Sequence, residues 1–220
     1  MKEDYYSRLR SEMVKRQIAA RGIEDPRVLN AVSRVPRHLF VPGSLADRAY
    51  DDSPLPIGEG QTISQPYMVA WMTALMKISP GDKVLEVGTG SGYQAAILCE
   101  LAGEVFTIEK YPDLAKAAEK RLTDLGYKNF RIRVGDGTLG WPEEAPFAAI
   151  IVTAGAPSVP QPLLEQLNDG GRLVIPVGPA GMQMLNVIQR HGNDFHTSDE
   201  GSCVFVPLVG KFGWKRGRSS

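Results

Sequence analysis

The chain lacks the features that mark several whole classes of protein. Its 220 residues contain no apolar run approaching the ~20 needed to cross a bilayer. The opening MKEDYYSRLRSEMVKRQ is charged throughout and has no apolar centre, so it does not read as a secretory signal. There are 2 cysteines, Cys99 and Cys203, which form neither a disulfide framework nor a CxxC metal site. Each is flanked by apolar residues, the setting of a buried packing thiol. Neither charge is in surplus: Lys+Arg and Asp+Glu both number 25. A general nucleic-acid binder needs clustered cations to neutralise phosphates, and none is indicated. There is no low-complexity tract and no internal repeat. These absences predict a cytoplasmic protein with no membrane or nucleic-acid partner and no metal site.

What is present is ordinary for a folded chain, with 43% hydrophobic and 23% charged residues. The length suits a single domain spanning 1–220. Glycine (23) and proline (16) are enriched and point to many functional turns. Residues 5–21 carry Leu9, Met13, Val14, Gln17 and Ile18 near helical spacing, predicting one amphipathic helix closed by Gly22. Asp25-Pro26 then starts a second, with the aspartate as cap and proline at the first helical position. Residues 36–66 are dense in proline, glycine and short polar residues without periodicity, which reads as a binding loop. A buried helix is expected over 65–75.

From Pro80 onward strand and helix alternate. Strands are predicted at 83–87, 104–108, 130–134, 148–152 and 172–177, with helices at 93–102, 112–125 and 162–167 between them. Segments 184–189 and 202–209 alternate without an intervening helix. The pattern predicts a doubly wound, mostly parallel open α/β sheet with an antiparallel C-terminal hairpin and a helical N-terminal cover over 1–78. The core then occupies 79–210, and KFGWKRGRSS (211–220) reads as a frayed, flexible tail.

The strongest local signal is VLEVGTGSGYQ (84–94), a buried strand running into Gly88, Gly90 and Gly92 and then a helix. Glycines there let the backbone turn sharply and let a ligand press against main-chain atoms. The dinucleotide fingerprint places its third glycine one residue later, where this chain has Tyr93, and Glu86 just before the loop would repel a pyrophosphate but attract an ammonium group. Glu109 ends the next strand about 20 residues beyond the first glycine, where an acid can accept from ribose hydroxyls. Asp136, in VGDGT, ends the third and can accept from an adenine amine. Plainer readings stand beside these: a tight strand-to-helix turn, a surface glutamate, and an aspartate serving an Asp-Gly turn. An ammonium, a ribose and an adenine partner in that order describe S-adenosyl-L-methionine better than a nicotinamide dinucleotide.

At this point the chain resembles a known family. GxGxG with Glu86 and Glu109 is similar to the class I S-adenosylmethionine-dependent methyltransferases. PRHLFVP (36–42), AYDDSPLPIGEGQTISQPYMVA (49–70), VLEVGTGSGYQAAIL (84–98) and VTAGAP (152–157) resemble the protein-L-isoaspartate O-methyltransferase family more specifically, QTISQP being the discriminating segment. The resemblance covers nearly the whole chain. It implies methylation of the carboxylate of L-isoaspartyl residues in damaged proteins and peptides, with S-adenosyl-L-methionine as donor and succinimide formation as the next step of repair. It implies that Ser64 is the active-site serine. It places the cofactor on Gln61, Thr62, Ile63, Glu86, Gly88, Thr89, Gly90, Gly92, Glu109, Lys110, Gly135, Asp136 and Gly137. Val209 stands where some relatives carry a polar residue, which bears on substrate contacts at that end.

The residues themselves leave some alternatives open. Ser64 before Gln65-Pro66 also reads as a helix N-cap. His38 reads as structural rather than as a base, and Asp51 and Asp52 point apart on extended chain. Residues 54–60 suit either an apolar lid or a packed connector. Residues 154–157 have side chains small enough for a backbone-lined peptide groove. An acceptor that is a small carboxylate or amine, a non-catalytic cofactor-binding module, and an NAD-dependent oxidoreductase are the competing readings. The chain is expected to act as a monomer.

Overall fold

The structure, a computed structural model, describes residues 2–215. Helix α1 (Lys2–Glu12) continues through a wider π-helical turn, Met13–Ile18, and a tight 3-10 turn, Ala19–Arg21, to the left-handed Gly22. The expected single helix is therefore continuous but changes its winding where Met13 and Ile18 are buried. Helix α2 (Pro26–Arg34) starts as predicted: the Asp25 carboxylate accepts from the Arg27 amide at 2.9 Å and Pro26 opens the first turn.

The 36–66 stretch contains two 3-10 turns, Arg37–Phe40 and Gly43–Arg48, and a small antiparallel hairpin of β1 (Leu55–Gly58) and β2 (Gln61–Ile63). Elements of three to six residues are too short to carry a detectable period, which is why the sequence reads as loop there. Helix α3 (Pro66–Met76) follows, largely buried.

The remaining elements are β3 (Lys83–Val87), α4 (Tyr93–Cys99), β4 (Glu104–Glu109), α5 (Pro112–Asp124), β5 (Phe130–Val134), β6 (Phe147–Val152), α6 (Gln161–Glu165), β7 (Leu167–Val177), β8 (Gln183–His191) and β9 (Asp194–Cys203). The strands form one sheet in the order β5-β4-β3-β6-β7-β8-β9. Pairings from β5 through β7 are parallel, and β7, β8 and β9 pair antiparallel. The chain winds outward from β3 to β5 and returns to β6 on the other side of β3, opening a crevice above the carboxyl ends of β3 and β6.

Alternation along the strands feeds both faces. Leu85, Val87, Phe106, Ile108, Ile150 and Val152 pack on one side, and Val84, Val105, Ala149, Ile151 and Val174 pack with Met72 and Met76 of α3 on the other. The N-terminal segment is bound to this core, because Ile18, Val32 and Phe40 share an apolar cluster with Tyr93, Ala96 and Leu122. Both cysteines are buried, as expected.

Two C-terminal expectations need correction. The last strand lies at Asp194–Cys203 and not at 202–209. It is a polar, exposed edge strand, so it gives no apolar signal, and its polarity protects the open edge. The apolar residues after it cross the crevice instead: Gly155 donates to the Val206 carbonyl, and Leu208 donates back to Gly155, each at 2.8 Å. The segment from Lys211 to Trp214 is not a free tail. The Lys211 amide donates to Asp136, the Phe212 amide to the Thr138 hydroxyl, and the Trp214 indole to the Gly155 carbonyl. Residues 216–220 of the expected tail lie outside the described residues.

The cap on α2 generates a direct expectation. Asp25→Ala should lower the unfolding free energy by about 0.5–2 kcal/mol, read as a lower urea midpoint with an unchanged denaturant slope.

Candidate active site

The site is built at the carboxyl ends of β3, β4 and β6. Gly88 leaves β3 with φ +101°, and a Cβ on it would collide with the Thr153 hydroxyl. That hydroxyl donates to the Gly88 carbonyl at 2.7 Å, tying the glycine loop to the end of β6. The Gly88 amide donates to the Ile108 carbonyl of β4, and Arg121 of α5 donates to the Ser91 carbonyl at 2.6 Å. Residues 88–92 are thus held from three sides. Gly92 serves packing: it opens α4 at φ +86°, and its Cα faces Ala118 too closely for a larger residue.

Glu109, nearly buried at the end of β4, accepts from the Gly90 amide at 2.7 Å through one oxygen and from the Tyr111 amide at 3.0 Å through the other. Each oxygen keeps a second lone pair, and the residue lines a cavity with Gln61, Thr62, Gly88, Gly90, Lys110 and Gly137. The cavity's far wall is the crossing segment, 206–209.

Glu86 is fully buried, and it lines an adjoining cavity with Thr62, Ile63, Ser64 and Thr89. One of its oxygens accepts from Thr107 at 2.6 Å, and Thr107 in turn meets Thr89 at 2.6 Å. Its other oxygen is buried without a partner among the described residues. Burial pushes the carboxyl up to about 8; the Thr107 bond opposes this and the Glu109 charge adds to it.

Asp136 lies apart from both cavities. One oxygen caps the turn Gly137–Leu139 by accepting from the Thr138 amide and hydroxyl, and the other accepts from Lys211. Burial raises its pKa, but these bonds outweigh it and hold the carboxyl below its usual range. The turn-and-anchor reading describes Asp136 in this geometry, and Gly135 likewise lines neither cavity; their neighbour Gly137 does.

Ser64 is not the cap of α3. Pro66 fixes the first helical position, so Gln65 occupies the cap site, and no side chain bonds there. The Ser64 hydroxyl makes no hydrogen bond among the described residues, while its carbonyl accepts from Arg37 at 2.7 Å. Ser64 also lines a third opening, a cleft of about 590 Å³ walled by Tyr67, Met68, Trp71 and Phe205. Thr62 and Thr153 line all three spaces and mark their junction.

The other candidates resolve simply. His38 is structural: its Nδ1 meets the Tyr50 hydroxyl at 2.8 Å and its ring stacks on Tyr6 at 4.0 Å. Asp51 and Asp52 go to different partners, Arg48 and Arg21. Ile57 of the hairpin packs against Gly90 and so covers the glycine loop. The backbone of Gly155 is not an open groove, since residues 206–208 already occupy it. Arg37, Thr107, Thr153 and the wall at 206–208 escape sequence reasoning, which marks only Val209 of that wall, for substrate contacts. Only Arg37 carried a signal, as a charged residue amid apolar neighbours in VPRHLF.

The spaces fit S-adenosyl-L-methionine. A buried carboxylate oxygen without a partner suits an ammonium group, and the free lone pairs of Glu109 suit a diol. The doubly wound, mostly parallel sheet with an antiparallel finish is a Rossmann-like methyltransferase fold, shared with the solved structures given below. The family model for protein-L-isoaspartate(D-aspartate) O-methyltransferase matches residues 8–213. The chain is 55% identical over 214 residues to the protein-L-isoaspartate O-methyltransferase of Syntrophus aciditrophicus, covering 96% of this chain and 98% of that one. It is 54% identical over 216 residues to that of Methanoculleus marisnigri, covering 98% of each. Among solved structures, a protein-L-isoaspartate O-methyltransferase superposes with TM-score 0.82 at 26% identity, over 93% of this chain and 67% of that one. A Plasmodium falciparum protein assigned to the same activity, in complex with S-adenosyl-L-homocysteine, gives 0.79 at 26% identity, over 91% and 98%. The chain belongs to the protein-L-isoaspartate(D-aspartate) O-methyltransferase family.

Glu86 makes the stability of the unliganded protein depend on pH. Between 4.5, its ordinary value, and about 8, the folded state holds a proton that the unfolded chain has released. Wild-type stability relative to Glu86→Gln should therefore fall by roughly 1.4 kcal/mol per pH unit across that window and stay level below it. Denaturation of both proteins at pH 4, 6 and 8 measures this difference.

Proposed function

We propose that this protein transfers the methyl group of S-adenosyl-L-methionine to the free carboxylate of L-isoaspartyl residues in damaged proteins and peptides. S-adenosyl-L-methionine, when bound, supplies an electrophilic methyl group on a positively charged sulfur. The single observation that carries the reading is Ser64, whose unengaged hydroxyl stands where the Glu86 cavity meets the open cleft.

An acceptor carboxylate is already ionised at neutral pH, so the reaction needs no general base. It needs alignment and the exclusion of water, because water stabilises the separated charges that the reaction removes. In this arrangement Ser64 donates to one acceptor oxygen and aims the other along the line of transfer. Glu109 accepts from the ribose hydroxyls, and Glu86 meets the ammonium end of the donor. The hairpin through Ile57 and the crossing segment 206–209 close over the donor, and the cleft beside Trp71 and Phe205 has room for the residues flanking the damaged one. That breadth favours a peptide acceptor over a small acid.

The same reading makes damaged polypeptides the only macromolecular partners and places a monomer in the cytoplasm. The even charge balance and the two buried thiols support it. Among the described residues, no helix is long and apolar enough to cross a membrane.

A radiolabelled methyl-transfer assay comparing an L-isoaspartyl peptide with its L-aspartyl twin is the direct test. Label should enter the first and not the second; equal labelling of both, or of neither, would remove the repair activity. Ser64→Ala should lower kcat/KM for the isoaspartyl peptide by roughly five- to a hundred-fold, the worth of a bond of about 1–3 kcal/mol to a buried carboxylate. Its affinity for S-adenosyl-L-methionine should stay within a few-fold. Since Ser64 caps nothing, its melting temperature should not move. In Glu109→Ala the pattern should reverse, with donor affinity down about ten-fold or more and the saturated rate less affected.

A further inference from the structure

We propose that Arg37 is a positioning residue for the acceptor: held against the Ser64 carbonyl, its guanidinium supplies the positive charge that draws the substrate carboxylate to the Ser64 side of the cleft. The inference rests on the function proposed above and adds to it a residue that lines neither the donor cavities nor the cleft.

Arg37 is 0% exposed. Its Nε donates to the Ala49 carbonyl at 2.6 Å and its Nη2 to the Ser64 carbonyl at 2.7 Å. The guanidinium carbon lies 4.8 Å from the centroid of the Tyr93 ring. Nη1 and the Tyr93 hydroxyl are both buried without a well-formed hydrogen bond among the described residues, and the guanidinium and that hydroxyl favour each other only weakly. No carboxylate of the described residues forms an ion pair or hydrogen bond with it. Burial pulls its pKa down to about 10, with Tyr93 and Tyr50 opposing, so the group remains a cation at neutral pH.

A buried charge without a counter-charge is unfavourable, and an apolar residue or a neutral amide in the same space would remove that penalty. Joining the Ala49 and Ser64 carbonyls requires donors; it does not require charge. The missing anion has an obvious source in the reaction. The acceptor enters the cleft as a carboxylate, and Ser64 is the peptide unit standing between that cleft and the guanidinium.

The chemistry also dictates which kinetic constant the charge affects. As the methyl group moves, the carboxylate loses its negative charge. A cation behind Ser64 therefore stabilises the bound anion at least as well as the transition state. It lowers KM and does not raise kcat. A cation touching the reacting oxygen would hold the ground state back, and the intervening peptide unit keeps the guanidinium off it. A purely mechanical strut behaves differently: losing it displaces Ser64 and lowers kcat.

The test measures kcat and KM for an L-isoaspartyl peptide in the wild type, Arg37→Met and Arg37→Lys, with the S-adenosyl-L-methionine dissociation constant as control. Arg37→Met should raise peptide KM at least ten-fold, with kcat within three-fold and donor affinity unchanged. Arg37→Lys, which keeps the charge, should stay within three-fold in KM. A drop in kcat at unchanged KM, or a lysine variant as impaired as methionine, would overturn the role. Should Arg37→Met fail to fold, Arg37→Gln, which keeps amide donors for the carbonyls and removes the charge, takes its place with the same rise in KM expected, and an unchanged KM overturns the role. An isoasparaginyl twin, neutral at the acceptor, should compete at least ten-fold less tightly than a catalytically poor isoaspartyl peptide. Equal competition rejects the proposal while leaving the methylation activity intact. No methylation by the wild type would remove both.

Discussion

A reaction that joins a cation to an anion and leaves neither charged runs best where water is absent. That constraint organises this molecule. Dry space is hard to make at the end of an open sheet, since the carboxyl edge of parallel strands faces solvent. Here two additions close it. The N-terminal segment brings the β1–β2 hairpin and Ser64 over one side, and the chain after β9 crosses the other and bonds to Gly155. Neither is loosely attached. The first shares an apolar cluster with α4 and α5, and the second ends in backbone bonds to Asp136 and Thr138.

Closure from both sides gives Asp136 and Gly155 partners within the chain itself. At the end of β5, an aspartate in a generic doubly wound fold faces a ligand. In this chain its two oxygens are engaged by the turn after it and by Lys211. Gly155 has the small size expected of a peptide groove, yet its backbone holds the protein's own crossing segment and the Trp214 indole. The sheet edge has become an internal surface, and the open cleft lies between α3 and that segment.

How much of this is legible in the sequence follows from the range of each interaction. The Asp25 cap, the glycine turn and four of the five parallel strands are local patterns that appear within a residue or two of the expected positions; β7 begins five residues early, at Leu167, where a helix end was expected. The acids at strand ends follow from the same alternation, so Glu86 and Glu109 are found at the crevice. Ser64 is legible as a special residue, and the proline rule that places the Asp25 cap also places Gln65, not Ser64, at the start of α3; that its hydroxyl is left without a partner depends on the surrounding fold. The course of 202–209 was misread because an apolar alternating segment looks the same whether it pairs in a sheet or lies across one. Arg37 stands inside the PRHLFVP motif, where its apolar neighbours set it apart but nothing local marks it as buried. Its burial depends on Ala49, Ser64 and Tyr93, which lie 12 to 56 positions away in sequence, and no local pattern encodes that.

Two buried ionisable groups close to Ser64 have opposite preferences, and this suits the proposed reaction. Glu86, in the cavity shared with Ser64, is held protonated by burial until a positive partner arrives. Arg37, behind the Ser64 peptide, stays charged without a negative one. In the proposed arrangement the donor's ammonium group meets the first, and the acceptor's carboxylate comes to the neighbourhood of the second. Each ligand thus supplies a partner for a polar atom that has none among the described residues, which favours binding without placing a full counter-charge on either reacting atom. Charges in contact with the sulfur and the oxygen would stabilise the separated ions that must disappear. Set back by one peptide unit on the acceptor side, and directed at the far ammonium group on the donor side, they hold both ligands in place while the methyl group passes between neutralising partners.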